Sequence, residues 1–343
     1  MKLADITGHG AYLIAEMSAN HAGSLDHALE IVGAAKKAGA DCLKIQTYTA
    51  DTITMDSDRD CFLIKGGLWD GRRLYELYQE ASTPWEWHGA IRDECARQGL
   101  DFLSTPFGNT AVDFLEELGV AFYKIASFEL TDIPLIEYTA GKGKPMLLSC
   151  GMGTRREIAD ALDACRRVGN DQVVLLKCCS EYPANPADMR LATIADMRER
   201  FGVPVGLSDH SMGSLAAVVA VSLGACVIEK HFCLSRDIPN PDSAFSMEPQ
   251  EFAEMARQVR AAMELLGEVS YERTAAEQAS VKFRRSLFAV RDIGAGEFFT
   301  ADNVRSIRPS DGLPPARYPQ VLGRRAARDI PRGTPLRDEL IAP

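Results

Sequence analysis

This chain lacks the roughly 18 consecutive apolar residues that a membrane-spanning helix needs. Its opening residues, MKLADITGHG, form no apolar signal region. Nine cysteines are present, an odd number, yet no C-x-x-C occurs and most of them lie inside apolar runs. That usage excludes a sequence-evident zinc or dithiol motif and suits reduced, packed thiols better than a disulfide framework. An excess of basic charge is missing too. With 38 Lys and Arg against 48 Asp and Glu, a net charge of −10, binding a phosphate backbone is not the main business of this chain. No Gly-rich dinucleotide fingerprint follows the first apolar strand, and no P-loop appears. Together these absences lead to the expectation of a cytoplasmic protein with no nucleic acid and no membrane among its partners.

What the chain does have is a composition for a large core: 343 residues, 46% hydrophobic and 25% charged. Short apolar, β-branched runs occur at 12–20, 42–48, 101–107, 122–129, 145–151, 172–180, 204–210 and 226–232. Each is followed by a segment able to form a helix, the last of these at about 248–266. Alternating units of this kind build a parallel sheet, and eight of them predict a (β/α)₈ TIM barrel, with an open doubly wound sheet as the alternative. Between the second and third runs lies an unusually long interval, DSDRDCFLIKGGLWDGRRLYELYQEAS (56–82). An insertion at the carboxyl end of a barrel strand flanks the mouth of the barrel, so this segment is expected to help select a substrate, with Leu68, Trp69 and Tyr75 packed on the barrel. After polar residues 267–280 the composition changes. Residues 281–343 carry 12 Lys or Arg against 7 Asp or Glu, whereas residues 1–280 carry 26 against 41. In this tail, DIGAGEFFTADNV (292–304) and DIPRGTPLRDELI (329–341) form an imperfect repeat, which predicts a small, turn-rich second domain.

Barrel chemistry sits at the carboxyl ends of the strands, and here those ends are heavily polar. Strand alternation puts Ser208 and His210 on one face of the seventh strand and Glu229 and His231 on one face of the eighth. Histidine is scarce, only six in the chain, so two at consecutive strand ends beside carboxylates suggest a divalent first-row ion with positions left for substrate or water. In VIEKHF (227–232), Glu229 lies on the same face below His231, suited to orient it, and Lys230 falls on the opposite face with no direct part in the site. Lys44 and Lys124, with Thr105, Ser127, Ser149 and Ser208, make a set able to cradle a small phosphorylated metabolite. Simple alternation leaves Lys124 and Ser127 on opposite faces, which requires an irregular strand end or one group acting from the loop. Glu16, the one acid at the end of the first strand, is a candidate for proton transfer if enclosure raises its proton affinity. Cys150, Cys178 and Cys179 lie in buried-looking strands with no evident base and are not read as nucleophiles.

The motifs AEMSANHAGSL (15–25), KIQTY (44–48), STPF (104–107), KIASFE (124–129), GLSDHS (206–211), IEKHF (228–232) and IRPSDG (307–312) together resemble the motif set of the sialic acid synthases. KGGLWDGRRLYELYQEASTPWEWH (65–88) and SANHAGSL (18–25) resemble most the branch that makes pseudaminic acid. The resemblance implies a catalytic TIM barrel over 1–270, a linker over 271–283 and an antifreeze-like (SAF-type) domain over 284–343. It implies condensation of phosphoenolpyruvate with the open-chain aldehyde of 2,4-diacetamido-2,4,6-trideoxy-L-altrose, with C–O cleavage and phosphate release. His210 and His231 would hold a divalent metal, Mn²⁺ or alternatively Mg²⁺ or Co²⁺, and Glu16 would steer water or move a proton. Lys44, Thr105, Lys124, Ser127, Ser149 and Ser208 match phosphoenolpyruvate-binding positions, whereas Gln46, Tyr182, Asp242 and the tail's Arg308 match positions near the sugar. Glu129 and Glu229 would support these groups from behind. In that family the tail reaches across a swapped homodimer, so Arg308 would serve the partner's site. One departure stands out: the sugar-contacting Asn of the sialic acid branch has no match in the GGLWDGRR region, which argues against N-acetylmannosamine as acceptor. Alternatives are a synthase of legionaminic or N-acetylneuraminic acid, a metal-dependent aldolase acting on pyruvate, and a non-catalytic sugar-binding protein.

Overall fold

The eight apolar runs become eight parallel strands: β1 (Tyr12–Glu16), β2 (Cys42–Thr47), β3 (Asp101–Pro106), β4 (Tyr123–Ile125), β5 (Met146–Ser149), β6 (Val173–Cys178), β7 (Val205–Asp209) and β8 (Val227–His231). Neighbours pair in chain order and β8 returns to β1, closing the barrel. The computed structural model describes residues 2–8 and 10–343. Among the described residues, no helix is long and apolar enough to cross a membrane.

The barrel's two surfaces follow from strand alternation. Leu13, Ala15, Leu43, Ile45, Leu148, Leu207 and Ile228 belong to the large core between strands and helices. The intervening residues Tyr12, Ile14, Cys42, Leu103, Phe122, Leu147 and Val227 form a second cluster enclosed by the strands, which also takes in Ile6 of the helix Leu3–Thr7. Continuing each of those rows by two residues gives Glu16, Lys44, Thr105, Lys124, Ser149 and Glu229. The interior is therefore apolar at the amino end and polar at the carboxyl end, where the chemistry of such barrels lies. Gly206 in β7 is needed for this filling, because a Cβ there would lie 2.6 Å from the Val227 carbonyl oxygen and 2.7 Å from Leu176.

Several strands end earlier than their apolar runs. β1 stops at Glu16, and Ser18–His21 form a 3₁₀ turn that Ser18 enters at φ 44°. β4 stops at Ile125, and Ser127–Glu129 form another such turn, so Lys124 projects from the strand and Ser127 acts from the loop. The conflict posed by alternation thus disappears.

After β2 the long insertion folds back on itself through a bridge between Leu63 and Arg73, then forms the helix Leu74–Ala81. Ile64 accepts from Gly71 N–H at 2.9 Å and donates to the Arg72 carbonyl at 2.9 Å, which fixes the intervening Gly-Gly-Leu-Trp turn.

The chain divides into two compact units, Met1–Gly267 and Glu268–Pro343. The stretch expected as a linker over 271–283 contains a helix, Ala275–Ser280, whose Thr274 and Glu277 cap one another, and a 3₁₀ turn, Val281–Phe283. The capping pair explains helix formation in so polar a segment. In the second unit, β9 (Ser286–Ala289) and β10 (Val304–Ile307) pair antiparallel. The two halves of the repeat meet at Ile293 and Ile330, which exchange backbone hydrogen bonds of 2.9 and 2.8 Å over a core of Leu287, Phe299, Val304 and Leu336.

Candidate active site

At the carboxyl mouth, four buried charges form one network. Lys44 Nζ lies 2.8 Å from Glu16 and 3.6 Å from Glu229, and Lys124 Nζ lies 3.2 Å from Glu229. Two cations and two carboxylates enclosed together leave each pKa to local imbalance. Burial raises the Glu16 carboxyl above the ordinary range, and the charge of Glu229 adds to this while Lys44 opposes it. Burial also disfavours ionised Glu229, but Lys124 and Lys44 outweigh it and hold that carboxyl low. Lys124 is lowered by burial. Lys44 is raised, because Glu16 and Glu229 overcome the cost of its burial.

Hydroxyls crowd the same rim. Lys44 Nζ donates to Thr105 Oγ1 at 3.3 Å and Ser208 Oγ donates to Glu229 at 3.2 Å. Ser149 Oγ is buried with no partner, and Ser127 Oγ accepts from the Gly151 N–H at 3.1 Å. A Cβ on Gly151 would fall 2.1 Å from Ser180 Oγ and 2.7 Å from Ser127 Oγ. The six residues read as a phosphate cradle therefore converge, and Gly151 and Ser180 join them. Ser180 belonged to the polar strand ends in the sequence, but only the packing of β5 against β6 shows its company.

His210 and His231 come together with ring centres 5.5 Å apart. His210 Nδ1 lies 2.9 Å from the Cys179 carbonyl oxygen, so in the neutral ring Nδ1 carries the proton and Nε2 is the nitrogen left for a ligand. Burial lowers the proton affinity of His210, but the Cys178 thiol 3.8 Å away and the Cys179 carbonyl raise it overall. His231 is held well below the usual imidazole range by burial and by its neighbour His210, and its buried Nδ1 has no partner. Cys178 itself is brought down to about 7 by His210 against the effect of burial, so the thiol has a basic neighbour that the sequence did not reveal. Among the described residues there is no group of three or more His, Cys, Asp or Glu arranged to hold a metal. Two imidazoles with available nitrogens fit an ion that takes its remaining ligands from substrate and water.

Glu229 does not orient His231. Its hydrogen bonds go to Lys124 of β4, across the barrel interior, and to Ser208, its register partner on the adjacent β7. Glu129, read as a supporting group, lines the cavity directly; burial pushes it up to about 7, and its Oε2 has no partner.

That cavity, of about 470 Å³, opens beside the imidazoles. Gln46, Tyr182, His231 and Asp242 line it; Gln46, Tyr182 and Asp242 are three of the four residues assigned to the sugar. Gln46 donates to Glu16 and to Ser18 Oγ at 2.9 Å each. Asp242 accepts from the Ala19 N–H at 3.1 Å, and burial raises its pKa. Tyr182 packs on His210 with ring centres 4.2 Å apart and on Trp69 at 5.6 Å. The fourth residue, Arg308, is exposed on the second unit.

Residues 31–271 match the model of the NeuB family, and residues 284–342 match that of the SAF domain. The chain belongs to the NeuB family. The barrel and SAF-type tail expected from the sequence are the architecture of this NeuB-family chain. A pseudaminic acid synthase of Campylobacter jejuni is 46% identical to it over 332 residues, 97% of each chain. An N,N'-diacetyllegionaminic acid synthase of Legionella pneumophila is 34% identical over 331 residues, 95% of this chain and 93% of that one. Among solved structures, an N-acetylneuraminic acid synthetase from Leptospira borgpetersenii aligns with a TM-score of 0.72 at 29% identity, covering 80% of this chain and 92% of its own.

Proposed function

We propose that this NeuB-family chain is a pseudaminic acid synthase, a transferase that condenses phosphoenolpyruvate with 2,4-diacetamido-2,4,6-trideoxy-L-altrose. The observation that carries the reading is the meeting, at one rim, of two buried lysines, an unpartnered Ser149 hydroxyl and two imidazoles 5.5 Å apart. A trianionic donor and a carbonyl acceptor need these two kinds of group side by side. The higher identity to a pseudaminic than to a legionaminic acid synthase, 46% against 34% at similar coverage, supports the choice of branch.

In this reading Lys44 and Lys124 neutralise phosphoenolpyruvate, and Thr105, Ser127, Ser149 and Ser208 donate to its oxygens. Gln46, Tyr182 and Asp242 hold the acceptor with its aldehyde toward His210 and His231. A divalent ion on those imidazoles, Mn²⁺ or alternatively Mg²⁺ or Co²⁺, would supply Lewis acidity toward the aldehyde oxygen. The methylene carbon of phosphoenolpyruvate forms the new C–C bond, water adds at its C2, and phosphate leaves with the bridging oxygen. Glu16, whose proton affinity burial raises although Lys44 lies 2.8 Å away, is suited to guide that water and to pass a proton. Arg308, from the tail of a second copy in a swapped homodimer, is assigned to the acceptor. The net positive balance of the tail supports this, as does the exposure of Arg308. A reducing cytoplasm suits the nine free cysteines.

The test is phosphate release by the purified chain given phosphoenolpyruvate, Mn²⁺ and each acceptor in turn. The altrose derivative is expected to be used best; a preference for N-acetylmannosamine or the legionaminic acid precursor contradicts the branch, and turnover of pyruvate without phosphate release contradicts the reaction.

A further inference from the structure

The walls of the cavity come from two different parts of the chain. Its polar end is built from strand ends and the loops after them, with Gln46, Tyr182, His231 and Asp242. Its other end is built largely by the insertion after β2. On the helix Leu74–Ala81, residues Leu74, Leu77, Tyr78 and Ala81 recur at helical spacing and all face the cavity, joined by Ile64 and Trp69 from the turn before it. Such a stripe ordinarily packs on a core, yet here much of it faces ligand space. Trp69 is held in position rather than loosely draped: its indole N–H donates to the Pro241 carbonyl at 3.0 Å, and its ring lies against Tyr182 and Phe245. The insertion thus adds an apolar wall to the cavity, with Glu129 facing the same space from the turn after β4.

The geometry points to a specificity subsite: the wall of Ile64, Trp69, Leu74 and Tyr78 receives the methyl-terminated end of the acceptor and selects a 6-deoxy sugar over its 6-hydroxy counterpart. This rests on the reaction proposed above. With the aldehyde at His231, C6 is the far end of the open-chain hexose and falls at the insertion side. A methyl group there loses only its contact with water, whereas a hydroxyl must give up hydrogen bonds that Ile64, Leu74 and the Trp69 ring, whose N–H is already given to Pro241, cannot replace. Discrimination of this kind amounts to roughly 10- to 100-fold in kcat/KM.

The experiment compares kcat/KM for 2,4-diacetamido-2,4,6-trideoxy-L-altrose and its 6-hydroxy analogue, with phosphoenolpyruvate as donor, in the full-length wild type, Leu74→Ser, Trp69→Ala and the conservative Leu74→Met. A ratio of rates in one preparation is insensitive to partial misfolding. The wild type and Leu74→Met are expected to favour the 6-deoxy sugar by roughly 10- to 100-fold, and the ratio is expected to fall several-fold in Leu74→Ser and Trp69→Ala with KM for phosphoenolpyruvate unchanged. Wild-type turnover of both sugars at equal efficiency, or an undiminished ratio in both Leu74→Ser and Trp69→Ala, overturns the subsite while leaving the reaction standing. Absence of phosphate release with either sugar in the wild type overturns the reaction and the subsite with it.

Discussion

Three glutamates near the mouth of the barrel differ because their neighbours differ. Glu229 has two ammonium groups within 3.6 Å and stays ionised, Glu16 has one at 2.8 Å and is raised by burial, and Glu129 has no hydrogen bond to Oε2 and titrates at about 7. The last has a consequence for stability. Its folded-state pKa lies above the ordinary value of 4.5, so its contribution is fully present below about pH 4.5 and is lost as the pH rises through about 7. The loss amounts to at most about 3 kcal/mol. Glu129→Gln, which cannot ionise, is expected to gain on the wild type in urea midpoint across that interval, and a difference between the two proteins that stays flat with pH contradicts this. Strand alternation put Glu229 on one face with His231, and the structure shows that this face, like those of Glu16 and Lys44, continues the row enclosed by the barrel. The pairing of Glu229 with Lys124 was not legible, since β4 and β8 lie across the barrel from one another and no local spacing records which long side chains meet in its interior.

Among the elements, the ends of β7 and β8 matter most, because they carry both imidazoles. On the outer face of these strands Lys230 Nζ lies 2.8 Å from Asp209 and also donates to the Ser211 carbonyl. Asp209 in turn accepts from the Ser211 N–H and hydroxyl at 2.8 and 2.7 Å. This buried pair brackets His210 on one strand and adjoins His231 on the other. Alternation put Lys230 outside the barrel and out of the chemistry, yet its partner became visible only in the structure. Lys230→Met leaves a buried carboxylate unpaired and is expected to cost about 3–5 kcal/mol, whereas the double variant Lys230→Met/Asp209→Asn loses much less. Denaturant unfolding of the three proteins measures this, and equal losses in the single and double variants contradict the pairing argument. The early ends of β1 and β4 were also invisible in the sequence. Their runs keep an apolar residue at alternate positions past Glu16 and Ile125 (Met17 and Ala19, Ala126 and Phe128), and the 3₁₀ turns are set by contacts such as Gln46 to Ser18 and Gly151 to Ser127.

For the whole molecule, eight apolar runs, eight helical intervals and a repeated Asp-Ile segment were enough to foresee a barrel with a small companion. The composition did not disclose that the polar stretch before the tail holds a capped helix, because its stability comes from Thr274 and Glu277 rather than from an apolar face. The swapped homodimer proposed for this chain makes a further prediction. His210→Ala and Arg308→Ala chains are each expected to be inactive alone, but co-expressed chains regain up to about a quarter of wild-type turnover, since each mixed dimer holds one intact site. No recovery on mixing contradicts completion of the site by a second copy. The central claim, C–C bond formation with release of phosphate by C–O cleavage, is tested most directly with phosphoenolpyruvate labelled with ¹⁸O at the bridging position and the diacetamido-trideoxy altrose as acceptor. The account predicts that the label leaves in phosphate, one equivalent for each nine-carbon acid formed; label retained in the keto acid, or acid formed without phosphate, would contradict it.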